Sequence, residues 1–314
     1  MDERRQRISE DLTGAIDGEI RCDPLTISMY SSDASIHQIA PLGVAFPRSR
    51  DDVVTLAKYS TEQRIPLVAR GSGTGVAGGA LGEGRVLDFS RHMNQVVRID
   101  DATVRVQPGA IRDRLNAALK PHGRYFPPDP SNSSITTVGG MLAVDAAGSH
   151  SIRVGSTRDH VVSIELVVSG GHAIELGNEP LTLLRQSIGA AGPVPDRDAG
   201  SVRQEIISRL ARLLAEHDPL IQKLQPPLVR NCCGYYLRGV RSASHLNAPR
   251  LLVGSEGTLG LFTEATLHTA PLPGRRGVLL LLFAHLEAAA RTVQATAPQQ
   301  PRACDLLDRR LLTL

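Results

Sequence analysis

The sequence predicts a mixed fold, with helices and strands interleaved along the chain and gathered into more than one packed unit. Three observations carry this. Short apolar runs of strand character alternate with stretches of helical period. The largest glycine cluster, Arg70 to Gly84, lies between two strand-like runs and opens no helix. A Pro-Gly break near residue 272 is followed by only one strand-like run and one helical run, too little to bury a core. The 314 residues are 41% hydrophobic and 21% charged, a globular rather than a disordered composition.

Residues 1–41 read as a mostly polar N-terminal arm. Ser49, with Asp52 three residues on, resembles a capping box that opens a helix through about Gln63. Ile65 to Ala69 reads as a short buried strand running into the glycine loop, and Arg85 to Phe89 as the next strand. Thr103 to Gln107 alternates with period two, as a half-buried strand does. Pro108-Gly109 then turns the chain into a helix over Ala110 to Leu119. A loop rich in Pro, Asp and Ser follows, Pro127 to Asn132, and then a small-residue run from Ala143 to Gly148. Val161 to Val168 is a strand and Ser169 to His172 a hairpin turn.

Residues 179–228 change character. Ile206, Ile207, Leu210, Leu213 and Leu214 fall at helical spacing while Arg203, Arg209 and Arg212 take other faces, so a helical insertion is expected, with a loop around Gly189 to Gly200. Leu251 to Val253 reads as a strand entering a second glycine cluster, Gly254 to Gly260, and Thr263 to Thr269 as another strand. Beyond Pro271 to Gly274 come a strand (Val278 to Phe283) and a helix (Leu286 to about Thr296). Residues 273–314 therefore read as the start of a truncated further domain.

The glycine loop matches G-x-G-x-x-G over Gly73 to Gly78, but a dinucleotide site of that kind needs a helix to begin there. Gly78, Gly79 and Gly82 follow closely, and each glycine costs a helix about 1 kcal/mol. The nicotinamide reading is therefore rejected. No Gly-Lys-Ser/Thr closes the run, which excludes a Walker loop. Clustered glycines still let several main-chain N–H groups converge on an anion, and Arg70 precedes them. The alternative is a long flexible hairpin. Ser255 is not a nucleophile elbow, because Val253 stands where G-x-S-x-G needs glycine.

Lys and Arg number 35 against 32 Asp and Glu, a net charge of +3, and aromatics are 3% with no Trp. Neither feature favours nucleic acid. Cys22, Cys232, Cys233 and Cys304 form no C-x-x-C pair, so no metal or cluster ligand set is written, and Cys232 and Cys233 read as buried thiols. His150, His160 and His172 read as surface or satisfied histidines. No apolar run approaches the roughly 18 residues of a spanning helix, and the charged start lacks a secretory signal, so a cytoplasmic setting is expected, with peripheral membrane association as an option.

Several segments now stand in order: IPLVARGSGTGVAGG (65–79), VQPG (106–109), FPPDPS (126–131), TVGG (137–140), RVGSTRDHV (153–161) and LVGSEGTLGLFTEATL (252–267). Together they resemble the FAD-linked oxidases with a p-cresol methylhydroxylase or vanillyl-alcohol oxidase type of flavin domain. The branch is similar to the glycolate oxidase flavin subunit and the D-lactate dehydrogenases, and to the bacterial flavoproteins that fuse this domain to an iron–sulfur domain. The resemblance covers residues 42–272. It implies an α+β flavin domain of two subdomains with FAD extended between them, followed by a truncated α+β substrate cap.

Carried onto this chain, the resemblance implies that Arg70, Gly71, Ser72, Gly73, Thr74, Gly75, Gly78 and Gly79 wrap the pyrophosphate. Asp129, Pro130 and Ser131 form a second wall, and Thr137, Gly139 and Gly140 lie against the cofactor. Arg153, Gly155, Arg158 and Asp159 bracket the flavin, Ile164 meets its edge through the backbone, and Glu256 and Gly257 close the pocket. Arg230 and Tyr235 are candidates for substrate contact, with Arg230 suited to a carboxylate. Thr74 stands where covalent members have a flavin-linking His, so non-covalent FAD is expected. Asp145 stands in place of the usual Asn, a charge expected to lower the flavin potential.

The implied reaction is hydride removal from a 2-hydroxy acid to the flavin. Electrons then pass to an iron–sulfur, quinone or cytochrome acceptor. The family's metal-and-base motif would lie beyond Leu314, which leaves the catalytic base unassigned. Two other readings stay open: a catalytically incomplete FAD-binding module, and a reductase of a nucleotide sugar that oxidises NADPH.

Overall fold

The computed structural model describes residues 3–181, 198–225, 228 and 233–313. Two sheets organise it. The first is built from β1 (Glu19–Arg21), β2 (Gly43–Phe46), β3 (Leu67–Arg70) and β4 (Arg85–Asp88) in the order β1-β2-β4-β3, with α1 (Glu3–Leu12), α2 (Pro24–Tyr30) and α3 (Arg50–Glu62) interspersed. β2, β4 and β3 are parallel and β1 is antiparallel at the edge. The glycine loop thus joins two parallel neighbours, which excludes the hairpin alternative.

The second sheet uses β5 (Val96–Ile99) and β6 (Thr103–Val106), followed by α4 (Arg112–Leu119), β7 (Arg124–Tyr125), α5 (Val138–Val144) and α6 (Ser151–Val154). Then come β8 (Val161–Val168), β9 (His172–Leu176), β10 (Asn178–Pro180), α7 (Ala199–Leu224), β11 (His245–Asn247), α8 (Ala248–Leu252), β12 (Leu261–His268) and β13 (Ala270–Pro271). Its order is β5-β6-β12-β8-β9, antiparallel throughout. The last helices are α9 (Leu286–Thr296) and α10 (Arg309–Leu312). Mixed helices and separate sheets make this the expected α+β class.

The strands of the second sheet bury both faces. Ile164 and Leu166 of β8 pack with Val104, Leu115, Met141 and Phe262 in one core. Val167 of β8 and Leu261 of β12 instead join Val53, Leu56 and Leu87 in the other. The alternation of a pleated strand therefore joins the two units. Ion pairing adds to this, since Arg50 of α3 stands 3.6 Å from Glu165 of β8.

Local chemistry explains most element ends. The Ser49 hydroxyl accepts the Asp52 N–H at 3.2 Å and caps α3 as expected. The Asp52 carboxylate reaches back to the N–H of Arg48 at 2.8 Å and also accepts that of Asp17 at 2.9 Å. Residues 3–30, which read as part of a polar arm, fold onto the first sheet, and Ile8 and Leu12 of α1 lie in its core. α7 is capped by Asp198 and buries Ile207, Ala211 and Leu214. Most of the loop expected at Gly189 to Gly200 lies outside the described residues.

Two expected strands do not form. Leu251 to Val253 belongs instead to α8 and its end, because Asn247 caps that turn and Pro249 sits in its first positions, where its fixed φ favours a helix start. Val278 to Phe283 has no regular structure, and Val278 is 98% exposed. A strand needs a ladder partner for its N–H and C=O groups, and no described strand pairs with this segment.

Asp52→Ala is expected to lower stability by about 1–3 kcal/mol by stranding the N–H groups of Asp17 and Arg48. Urea unfolding followed by circular dichroism checks this, and an unchanged midpoint contradicts it.

Candidate functional site

The glycine loop leaves the C-terminal end of β3, the edge where open parallel sheets place ligands. Gly73 and Gly78 have φ of +67° and +78°, conformations glycine adopts without strain. From Ser72 to Gly79 the main-chain N–H groups find no acceptor among the described residues. Gly75 and Gly79 have open space where a side chain would be. No acidic residue occurs from Gly71 to Gly82. The nearest carboxylate, Asp33, faces the Ala80 end of the loop and Arg70, and the run of available donors before it fits a phosphate diester.

Arg70 lies against Gly73, its guanidinium 2.7 Å from where a Cβ would be. Its guanidinium donates to the Ser32 carbonyl at 2.9 Å and to the Ala80 carbonyl at 3.4 Å, bracing the loop from within. Ser72 donates to the Ile135 carbonyl at 2.5 Å. A Cβ on Gly71 would stand 2.1 Å from the Thr137 hydroxyl oxygen, so the loop lies directly against the start of α5. Thr137 caps that helix by accepting the Gly140 N–H at 3.2 Å. Gly139 is turned the other way. Its N–H donates to Pro108 at 2.7 Å, and Pro108 occupies the space of a Cβ.

The end of α5 gathers two further segments. Asp145 stops the helix at φ +51° and lies in a buried pair with Arg158, 3.2 Å apart. Arg158 also donates to the Val253 carbonyl at 2.6 Å, and its main-chain N–H donates to Asp145 at 2.9 Å. Burial holds the Arg158 guanidinium below its ordinary pKa, with Asp145 acting in the opposite direction. The second glycine loop docks on the same helix end. Gly254 donates to the Leu142 carbonyl at 2.8 Å and Glu256 to that of Ala143 at 2.9 Å. Glu256 and Gly257, at φ +52° and +80°, are exposed at its tip. The expected free negative charge at Asp145 is thus replaced by an ion pair.

The other wall is held from behind. The Asp129 carboxylate pairs with the His150 ring and accepts the His150 N–H at 3.3 Å. A Cβ on Gly148 would stand 1.8 Å from the Asp129 carbonyl oxygen. Pro130 is half-buried and Ser131 exposed beside it. Gly155 has φ +77°, and the Asp159 carboxylate fills its side-chain space. Asp159 itself accepts the Ser156 N–H at 2.9 Å. Arg153 is exposed. Ile164 lies mid-strand in β8, flanked by Ala265 and Leu176 and fully buried, so it belongs to the sheet core rather than to an open wall.

Tyr235 reaches the second glycine loop through a 2.7 Å contact between its hydroxyl and that of Thr258. Thr258 in turn donates to the Ser255 carbonyl at 2.5 Å. Tyr236, which the sequence analysis passed over, presents its ring to both Arg158 (4.5 Å) and Arg250 (5.3 Å). Gly148 and Thr258 were not singled out either, while His150, read as a surface or satisfied histidine, is satisfied by Asp129. Only the position of Gly148, ending a small-residue run, gave any signal. Arg230 and Cys232 lie outside the described residues, and Cys233 is exposed, contrary to the buried thiol expected. Among the described residues no helix is long and apolar enough to cross a membrane.

The first glycine loop and the start of α5 thus form one cradle of main-chain donors on an α+β frame of two sheets. Residues 41–177 match the FAD binding domain family, so the chain carries a domain of that family. It is 35% identical over 304 residues to a D-2-hydroxyglutarate dehydrogenase of Pseudomonas putida, covering 95% of this chain and 29% of that protein. It is 31% identical over 269 residues to glycolate oxidase subunit GlcD of Bacillus subtilis, covering 84% of this chain and 45% of that protein. The chain thus spans less than half the length of these relatives. An alkyldihydroxyacetonephosphate synthase superposes with a TM-score of 0.61 at 20% identity, over 90% of this chain and 44% of that one, a likeness of fold.

Arg158→Met is expected to cost about 3–5 kcal/mol by removing the cation that faces the buried Asp145 carboxylate. Adding Asp145→Asn, a residue suited to φ +51°, should recover part of that loss in urea unfolding.

His160 yields a pH prediction. Burial lowers its pKa from 6.5, its ring donating to the Val154 carbonyl at 2.7 Å. The unfolded chain therefore binds the extra proton first. The contribution of His160 to stability is full above pH 6.5 and falls as the pH drops toward its folded value. His160→Gln should flatten the fall of stability as the pH drops below 6.5.

Proposed function

We propose that this chain is the flavin domain of a 2-hydroxy acid dehydrogenase that holds FAD without a covalent bond. The observation that carries the reading is the available run of main-chain donors from Ser72 to Gly79, set against α5. The relatives named for D-2-hydroxyglutarate and glycolate supply the substrate class. Thr74 has a hydroxyl where a covalent link needs an imidazole.

The roles of the residues follow from their placement. Ser72 to Gly75, Gly78 and Gly79 bind the pyrophosphate through the backbone. Arg70, Thr137, Gly139 and Gly140 fix the shape of that cradle. Asp129 to Ser131 form a wall kept in place by Gly148 and His150. Arg158 and Asp159 hold the flavin-side turn, and Glu256, Gly257 and Tyr235 border the reacting edge. Bound FAD supplies a two-electron acceptor for the α-hydrogen of the hydroxy acid. An iron–sulfur, quinone or cytochrome acceptor completes turnover. The second reading, an FAD-binding module lacking its substrate cap, draws support from the exposed apolar run Val278 to Phe283, which no described strand covers.

The test is the visible spectrum of the chain after reconstitution with FAD, followed without oxygen on adding D-2-hydroxyglutarate, D-lactate or glycolate. Bleaching of a bound-flavin spectrum is the expected outcome. A flavin spectrum that no hydroxy acid bleaches favours the module, and absence of bound flavin overturns both. Gly148→Ala should weaken FAD binding by about tenfold or more, since displacing the Asp129 wall by even about 1.4 kcal/mol has that effect.

A further inference from the structure

The family match begins at residue 41, yet the glycine loop is not shaped by the matched residues alone. A closed loop, Ser31 to Ile39, is pinned at its base by Ile39 donating to the Ser31 carbonyl at 2.8 Å and by a bridge between Ser32 and Gln38. Its tip lies along the glycine loop. Ala34 donates its main-chain N–H to the Gly73 carbonyl at 3.0 Å. The Ser32 carbonyl accepts Arg70, and the Arg70 guanidinium lies 5.1 Å from the centre of the Tyr30 ring just before this loop. The His37 ring stands 3.0 Å from where a Cβ on Gly78 would be. Tyr30 is itself fixed, its hydroxyl donating to Asp88 at 2.5 Å, and Asp88 also accepts the N–H and hydroxyl of Ser90.

We propose that Tyr30 to His37, outside the matched domain, are positioning residues of the FAD site that hold the glycine loop in its binding shape through Arg70 and Gly73. The physical need is clear. A loop with Gly at 71, 73, 75, 78 and 79 has wide conformational freedom, and each residue ordered on binding costs conformational entropy. Ordering it beforehand removes that cost from the binding step. Arg70 is the device: its guanidinium lies along the Tyr30 ring and reaches both the Ser32 carbonyl outside the loop and the Ala80 carbonyl within it. The Ala34 hydrogen bond holds the Gly73 carbonyl and so keeps that oxygen from turning toward the phosphates. His37 faces the mouth of the loop, where Gly78 allows its close approach. This inference rests on the FAD reading above.

The first measurement is amide hydrogen exchange on the wild-type chain with and without FAD. FAD is expected to slow exchange at Ala34 through His37 as well as at Gly71 through Gly79. The second is FAD affinity, by quenching of flavin fluorescence, for Tyr30→Leu and Tyr30→Phe. Tyr30→Leu removes the ring from Arg70 and should weaken FAD binding about tenfold or more. In the cofactor-free variant, exchange should speed up at Ala34 and Ile39, whose N–H groups bond to Gly73 and Ser31, but not in β8 and β12. Tyr30→Phe keeps the ring and should restore most of the affinity, which a general loss of fold would not. Protection of the glycine loop without protection of residues 34–37, or equal FAD affinity in Tyr30→Leu and wild type, overturns the proposal while leaving the FAD reading intact. Failure of the wild-type chain to bind FAD overturns both.

Discussion

The site depends on one short helix and on the buried pair at its end. α5 has seven residues, too few to stand alone, yet four separate segments meet on it. Its cap, Thr137, abuts the first glycine loop, and its last carbonyls receive the second. Asp145 and Arg158 close the arrangement from inside. Such a pair gains little net stability over an apolar one, because desolvation offsets much of the attraction. Its value lies in geometry. Arg158 reaches Asp145 and Val253 together, so the turn at residue 158 and the loop after residue 253 cannot move apart independently.

Glycine serves two different purposes here. Gly75 and Gly79 face open space, as a cradle requires. Gly139, Gly148 and Gly155 instead face protein atoms, namely Pro108, the Asp129 carbonyl and the Asp159 carboxylate. All five look alike in sequence. The first kind leaves room for a ligand, while the second brings two backbone segments close enough to make a rigid wall. Substituting the second kind would damage the site without touching any ligand.

This distinction marks what was legible in the sequence. The α3 cap, β8, α9 and the glycine loop between strands were readable, because each depends on local period or a local hydrogen bond. The Leu251 run misled, since three apolar residues fit a strand or a helix equally and Asn247 and Pro249 decided between them. Val278 to Phe283 has strand composition, but a strand exists only with a partner. The mid-sheet position of Ile164, with its side chain in the core, follows from long-range pairing that one strand's pattern does not reveal. The polar look of residues 3–30 concealed Ile8 and Leu12, whose burial depends on the rest of the first unit.

The charged residues around the site share one further property. Asp129 is engaged by His150, Asp145 by Arg158, Asp159 by Ser156, and Arg70 by Ser32 and Ala80. Each charge stabilises the protein frame, and the inner surface presents mainly main-chain donors. Binding by backbone shape is demanding toward a pyrophosphate, which must match a fixed set of N–H directions. It does not depend on what reacts elsewhere on a bound nucleotide. A single domain of this construction can therefore accompany dehydrogenases named for D-2-hydroxyglutarate and for glycolate alike.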